Sequence, residues 1–168
     1  MANRAIFNRK YTSFTPGGTE VYLINGAGVT TTFPATQTFT AGANLIQGQV
    51  VYVSGALVFS ASALSGLAAF NFGAIGVTAA SAGVTSGVAV NLDDIVVVSA
   101  ANITAESSLI PGEYYYLSKF NGQLTRYTTA SGSITASGTD QYQALVTLGK
   151  ALSTTELEVE VLPPTLLT

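Results

Sequence analysis

Gly48-Gln49-Val50-Val51-Tyr52-Val53-Ser54 and Gly112-Glu113-Tyr114-Tyr115-Tyr116-Leu117-Ser118 are one pattern written twice, 64 residues apart. Each opens on glycine, runs through β-branched or aromatic side chains, and closes on serine. That is the composition of a strand entered and left through turns. Each is followed by a turn and a second strand, beginning near Ala56-Leu57 in one case and Gln123-Leu124 in the other. Further on, Ile75-Gly76-Val77-Thr78-Ala79 is echoed by Leu148-Gly149-Lys150-Ala151-Leu152. Each of these leads through a Gly/Ser/Thr turn to an alternating strand, ending in Val88-Ala89-Val90 or Leu157-Glu158-Val159-Glu160-Val161. Two related four-strand units are therefore expected, over about 46–92 and 93–161. Each is expected to be too small to bury its own face, so that stacking them makes one core.

The remaining strand signals fit this frame. Gln49 to Val53 and Leu57 to Phe59 form a hairpin across Ser54-Gly55. Ala74 to Thr78 and Gly87 to Val90 follow, separated by Ser81-Ala82-Gly83. Asp94 to Val98 is short, apolar and bounded, which predicts a buried strand; Asp93-Asp94 makes the turn before it. Glu113 to Leu117 and Gln123 to Thr128 flank Asn121-Gly122, a strong hairpin signal. In the last strand Glu156, Glu158 and Glu160 alternate with Leu157, Val159 and Val161, which predicts one wet face and one buried face. The row of acids reads as the blunted edge of a sheet. Pro163-Pro164 then sends a tail, 162–168, away from the body. The expected fold is all-β: an antiparallel β-sandwich, jelly roll or small barrel with an extended N-terminal arm.

Residues 1–45 are that arm. Pro16-Gly17-Gly18, Gly26-Ala27-Gly28, Phe33-Pro34 and Ala41-Gly42 interrupt it every eight to ten residues. Its aromatics are too frequent for an unstructured tail, so it is expected to dock on a neighbouring subunit. Arg4, Phe7, Arg9, Lys10, Tyr11 and Phe14 are the candidate docking residues.

Charge is scarce. The 168 residues include nine acids and six bases, 9% charged against 48% hydrophobic, with a net charge of −3. No charged residue occurs from Val21 to Leu92. The 22-residue stretch Ala56 to Val77 is long enough to span a bilayer as a helix. It carries Ser, Gly and Asn71 and lacks flanking cations, so sheet is expected instead. No apolar run follows Arg4, Arg9 and Lys10, so a signal peptide is not expected either. The net negative charge is the wrong sign for generic nucleic-acid binding. Neither a membrane nor a nucleic acid is an expected partner.

The chain contains no Cys and no His. This excludes disulfides, Cys/His zinc sites and nucleophile–histidine catalysis. Of the other constellations, Asp93 and Asp94 are adjacent and would face opposite ways on a strand. Glu106 and Glu113 lack the spacing support for a glycosidase pair, and Gly26-Ala27-Gly28 lacks the rest of a phosphate loop. Lys119 and Lys150 have no evident activating partner. No enzymatic activity, metal or cofactor is expected. Tyr114 and Tyr116, with Tyr127, are candidate interface aromatics or a stacking surface for a glycan. A surface so poor in ionic groups calls for cover by other subunits, the mark of an assembly component.

Residues 46–161 also carry a resemblance. The run Ser99 to Thr104, Leu109-Ile110-Pro111-Gly112-Glu113-Tyr114-Tyr115-Tyr116-Leu117-Ser118, Asn121-Gly122-Gln123-Leu124-Thr125 and Leu148 to Leu157 resembles a β-module of tailed-bacteriophage virion proteins. Gly48 to Val90 resembles the β-rich body of small capsid-decoration, or cement, proteins. The resemblance implies a structural protein on the outer surface of the capsid, made in the host cytoplasm. It implies a homotrimer that bridges major capsid proteins and grips the shell with a terminal arm. A tail-fibre or head-fibre component that recognises a host glycan is the alternative. The motifs are structural and carry no catalytic residues.

Overall fold

The computed structural model describes residues 20–24, 29–33, 35–64, 73–127 and 144–166. The chain is all-β, with a closed five-stranded barrel and a second five-stranded sheet. A hairpin of β1 (Glu20–Ile24) and β2 (Val29–Phe33) precedes them. The barrel contains β3 (Thr36–Ala41), β4 (Val50–Ser54), β5 (Leu57–Ser60), β6 (Ala74–Thr78) and β7 (Gly87–Asn91), in the order β3-β5-β4-β6-β7. The second sheet contains β8 (Ile95–Val97), β9 (Tyr114–Leu117), β10 (Leu124–Arg126), β12 (Thr147–Ala151) and β13 (Glu156–Val159), in the order β10-β9-β12-β13-β8. Two short strands, β11 (Ala144–Leu145) and β14 (Thr165–Leu166), pair with each other.

The repeat read from sequence is a repeat of topology. β5-β4-β6-β7 and β10-β9-β12-β13 have the same order, and all their pairings are antiparallel. The correspondence extends to single hydrogen bonds. Gly48 N–H donates to Thr78 O at 2.8 Å, as Gly112 N–H does to Ala151 O at 2.8 Å. Thr78 N–H donates to Gln49 O at 2.9 Å, as Ala151 N–H does to Glu113 O at 2.9 Å. Gly48 and Gly112 each sit third in a four-residue turn at φ +82° and +88°, where a side chain would be strained. The glycines of the second motif coincide too. A Cβ on Gly76 would lie 2.2 Å from Asn91 O, and one on Gly149 would lie 1.9 Å from Glu158 O. At both places a bulge presses the strand's backbone against its neighbour, and only glycine leaves room.

Each unit has a fifth strand that lies upstream of the four-strand pattern. In the first unit β3 pairs antiparallel with β7 and then parallel with β5, which closes the barrel. Thr36–Ala41 was expected within the arm; it is instead a barrel strand, held to β7 at five consecutive positions. In the second unit β8 pairs antiparallel with β13. The chain then makes a 3-10 turn over Ala100–Asn102 and meets β10 in a single parallel bridge, Ile103 to Leu124. Thr104 N–H donates to Leu124 O at 2.8 Å, as Gly42 N–H does to Val58 O at 2.8 Å. The second unit repeats this arrangement as an open sheet, joined along that seam at one bridge only.

Three further expectations change. Asp94 to Val98 is not a fully buried strand: Ile95 and Val97 are exposed, and only Val96 and Val98 turn inward. β8, not β13, forms the edge, because it pairs with β13 alone among the strands. The alternation of β13 stands, with Leu157 and Val159 buried and Glu156, Glu158 and Glu160 exposed. The β8 edge is capped by side chains: Asn91 Nδ2 donates to Ile95 O at 3.1 Å, and Ile95 N–H donates to Asp94 Oδ1 at 2.7 Å. The C-terminal segment also returns after Pro163-Pro164, since Thr165 and Leu166 pair with Leu145 and Ala144.

The first unit encloses a small cluster of its own, with Ala41, Leu45, Val51, Val58, Val88 and Val90 at its centre. It is therefore large enough to bury an interior without its twin. A larger cluster fills the second unit and continues onto the outer side of the first through Val50, Ala61, Ala63 and Val77. Strand β4 does not alternate at its start because Val51 faces the barrel interior while Val50 faces the other unit. Both are fully buried.

Candidate functional surface

The candidate arm residues Arg4, Phe7, Arg9, Lys10, Tyr11 and Phe14 lie outside the described residues, as does Gly26-Ala27-Gly28. The candidate aromatics are within them. Tyr115 points into the second unit's core, so Tyr114 and Tyr116 share the outer face of β9. Tyr127, just beyond β10, lies beside Tyr116, with ring centroids 5.9 Å apart and planes at 58°. Lys150 pairs with Tyr114 in register and holds its ammonium 5.9 Å from that ring's centre, within reach of a cation–π contact. Glu158 faces Lys150 on the next strand. All three tyrosines are thus brought to one face. Tyr114 and Tyr127 are about half exposed, at 49% and 54%. Burial is the main cause that pushes the Tyr116 hydroxyl pKa up, reinforced by Tyr127.

The face continues across the sheet. The outward residues of β13 are Glu156 and Glu158, and those of β8 are Ile95 and Val97. The result is a surface with tyrosines at one side, carboxylates in the middle and aliphatic side chains at the far edge. Exposed aromatic side chains of this kind are enriched as anchors in protein contacts.

The acids singled out in the sequence serve the framework. Glu106 forms an ion pair with Arg126 Nε through Oε1. Its Oε2 accepts a hydrogen bond from the Tyr115 hydroxyl at 3.1 Å, which itself accepts from Ile110 N–H at 3.0 Å. This ties the 106–110 loop to strands β9 and β10. The bond to Glu106 raises the Arg126 pKa, and burial raises that of Tyr115. Asp93-Asp94 forms the link between units, with Asp94 O accepting from Val159 N–H at 3.0 Å. Among the described residues no group of three or more Asp or Glu side chains is placed to hold a metal ion. No helix among them is long and apolar enough to cross a membrane. The described part of the Ala56–Val77 stretch contributes β5 and part of β6.

The joint between the units was not legible in the sequence. Gly122 N–H donates to Ala61 O at 2.7 Å, Val50 N–H to Gly122 O at 3.0 Å, and Ala63 N–H to Ser118 O at 2.9 Å. Ser62 Oγ donates to Lys119 O at 2.7 Å, and Asn102 Nδ2 to Gln47 O at 2.6 Å. The Asn121-Gly122 hairpin is thus more than a connection between β9 and β10. Its loop, Ser118 to Gln123, is the socket on which the first unit rests. Compared with known proteins, the chain matches no family model and none of the curated proteins.

Proposed function

We propose that the chain is a structural virion protein, a cement or decoration protein on the outer surface of a tailed-phage capsid. It would act as a homo-oligomer, expected to be a trimer, that bridges major capsid proteins. The observation that carries this reading is the exposed apolar and tyrosine surface of a body with little charge. Ile95, Val97, Tyr114 and Tyr127 are all more than 40% exposed on a frame of one closed barrel and a second sheet. An apolar surface of this kind gains free energy when covered, at about 25 cal/mol per Å² removed from water. Interfaces made only in the assembled shell stabilise that shell by mass action. The resemblance of residues 46–161 to decoration modules supports the same reading.

The test is the position and copy number of the chain in the purified particle, from imaging combined with gel densitometry. Hundreds of copies spread over the shell are expected, and a handful at one vertex would overturn the reading. Removing residues 1–20 is expected to leave a folded body that no longer binds heads. Full binding by the truncated protein would exclude the arm as the grip.

The cluster of Tyr114, Tyr116 and Tyr127 favours one second reading, a fibre component that stacks a host sugar on these rings. Glycan-array binding that is lost on Tyr127→Ala would establish it. Head association with no glycan signal would retire it.

A further inference from the structure

The two units are equivalent in topology and unequal in burial. Val50 pairs with Val77 across β4 and β6, as Tyr114 pairs with Lys150 across β9 and β12. Val53 pairs with Val58 as Leu117 pairs with Leu124; three residues further on, Ala61 corresponds to Tyr127. In the first unit Val50, Val77 and Ala61 are fully buried, because this face is seated on the second unit. At the same positions of the second unit Tyr114, Lys150 and Tyr127 are exposed. Gly48 is buried against Val98 and Asn102, while its twin Gly112 has nothing within 4 Å of where a Cβ would stand.

The joint inside the chain is head-to-tail: a face of one unit meets the hairpin end of the other. Such a contact uses two different surfaces, and each unit possesses both. Among the described residues one of each is therefore left unused, the Tyr114 face of the second unit and the β4–β5 hairpin end of the first. That hairpin end carries Ser54-Gly55-Ala56-Leu57, with Gly55 and Ala56 exposed and Val53 at its rim 37% exposed. Its counterpart Leu117 is 1% exposed, within the hydrophobic cluster that spans both units.

We propose that the Tyr114 face of one copy binds the β4–β5 hairpin end of a second copy, repeating between chains the head-to-tail joint that the units make within one. The occupant follows from continuity with the internal interface: among the described residues, this face's twin is fitted by the other unit's hairpin end and the segment beside it. The exchange of Val50 and Ala61 for Tyr114 and Tyr127 agrees with a contact between separate chains. Tyrosine suits a surface that is wet before assembly and anchored after it. Repeated around a rotation axis, the joint closes a ring; without closure it extends a filament. The inference goes beyond the capsid reading and concerns the purified protein alone.

Because the chain has no cysteine, single cysteines test the contact directly. Ala61 O meets Gly122 N in the internal joint, so Tyr127→Cys on one copy should meet Ala56→Cys on another. With a short bis-maleimide, a mixture of Y127C and A56C proteins is expected to give a covalent dimer that neither gives alone. A dimer from Y127C alone would mean a two-fold contact and would overturn the proposal. So would a mixture that gives no dimer at concentrations where the protein self-associates, or a protein that remains monomeric. Tyr114→Arg, with an unchanged circular dichroism spectrum, is expected to weaken self-association by about thirtyfold, as for loss of a central aromatic anchor. Val84→Arg, on an exposed loop of the first unit, should leave it unchanged. Equal weakening by both variants would also count against the proposal.

Discussion

The first unit is sealed by small side chains, and the second is held ajar by large ones. Val51, Val58 and Val90 line the first interior where Tyr115, Leu124 and Leu157 line the second. Five strands enclose little volume. Valine and alanine fill it and allow β3 to run unbroken from β7 to β5. A tyrosine and several leucines need a wider shell, and there the strand breaks at Ala100–Asn102 before it reaches β10. Close packing has no tolerance for an empty or overfilled interior, so side-chain volume sets whether one topology closes or stays open. The first unit then covers the open one, and the largest hydrophobic cluster spans both.

The largest losses of stability are expected at the twin glycines. Gly149→Ala places a Cβ against Glu158 O at a residue with φ +151°, and a loss of about 4 kcal/mol or outright misfolding is expected. Gly76→Ala meets Asn91 O without the φ penalty and should cost about 2–3 kcal/mol. Urea unfolding of both variants checks the order; a harmless Gly149→Ala would remove the bulge from the account. Next comes Tyr115→Val, which gives the second interior the residue of the first. The cavity and the two lost hydrogen bonds should cost about 3–4 kcal/mol, and amide exchange should rise first along the Ile103–Leu124 seam.

A third comparison sets the buried twin against the exposed one. Val50→Ala should lower stability by about 2 kcal/mol in a single transition that unfolds both units together. Tyr114→Ala should stay within about 0.5 kcal/mol for the isolated chain. Two separate transitions would mean that the shared core does not couple the units. A loss smaller than that of Val50→Ala is expected from Tyr115→Phe, about 1–2 kcal/mol for the bonds to Glu106 and Ile110. It has a pH signature. Burial raises the Tyr115 pKa above its ordinary 10.0, so the folded state holds that proton more tightly than the unfolded chain does. The stability this provides is complete below pH 10 and falls as pH rises towards the folded value. Tyr115→Phe should therefore flatten the alkaline limb of a stability–pH profile, and an unchanged limb would assign it to other groups.

Much of the frame could be read from residue order. Gly48 and Gly112 marked equivalent turns, Gly76 and Gly149 marked equivalent bulges, and the two echoing motifs gave two units with their boundary near Leu92-Asp93. The pattern was longer than the part first visible. Leu45-Ile46 and Leu109-Ile110 also correspond, with both leucines buried and both isoleucines exposed. The Glu106–Arg126–Tyr115 tie was not visible, because its members come from separate places along the chain and form no local motif. The candidate tyrosines were found because alternation along β9 puts Tyr114 and Tyr116 on one side. Their convergence with Tyr127 and Lys150 depends on how β9 pairs with its neighbours.

Alternation, turn chemistry and the repeat are properties of neighbouring residues, and these the amino-acid order determined unaided: strands, faces and two related units. Pairing between distant segments was decided only when the chain closed on itself. That step drew β3 out of the presumed arm, put β8 rather than β13 at the edge, and returned the C-terminal strand to Ala144–Leu145. It also decided which of two equivalent faces is buried. A strand's in-and-out pattern fixes which side chains turn inward, but the same pattern fits several partners. The choice among them falls to the volume each interior must fill and the backbone groups each edge must satisfy.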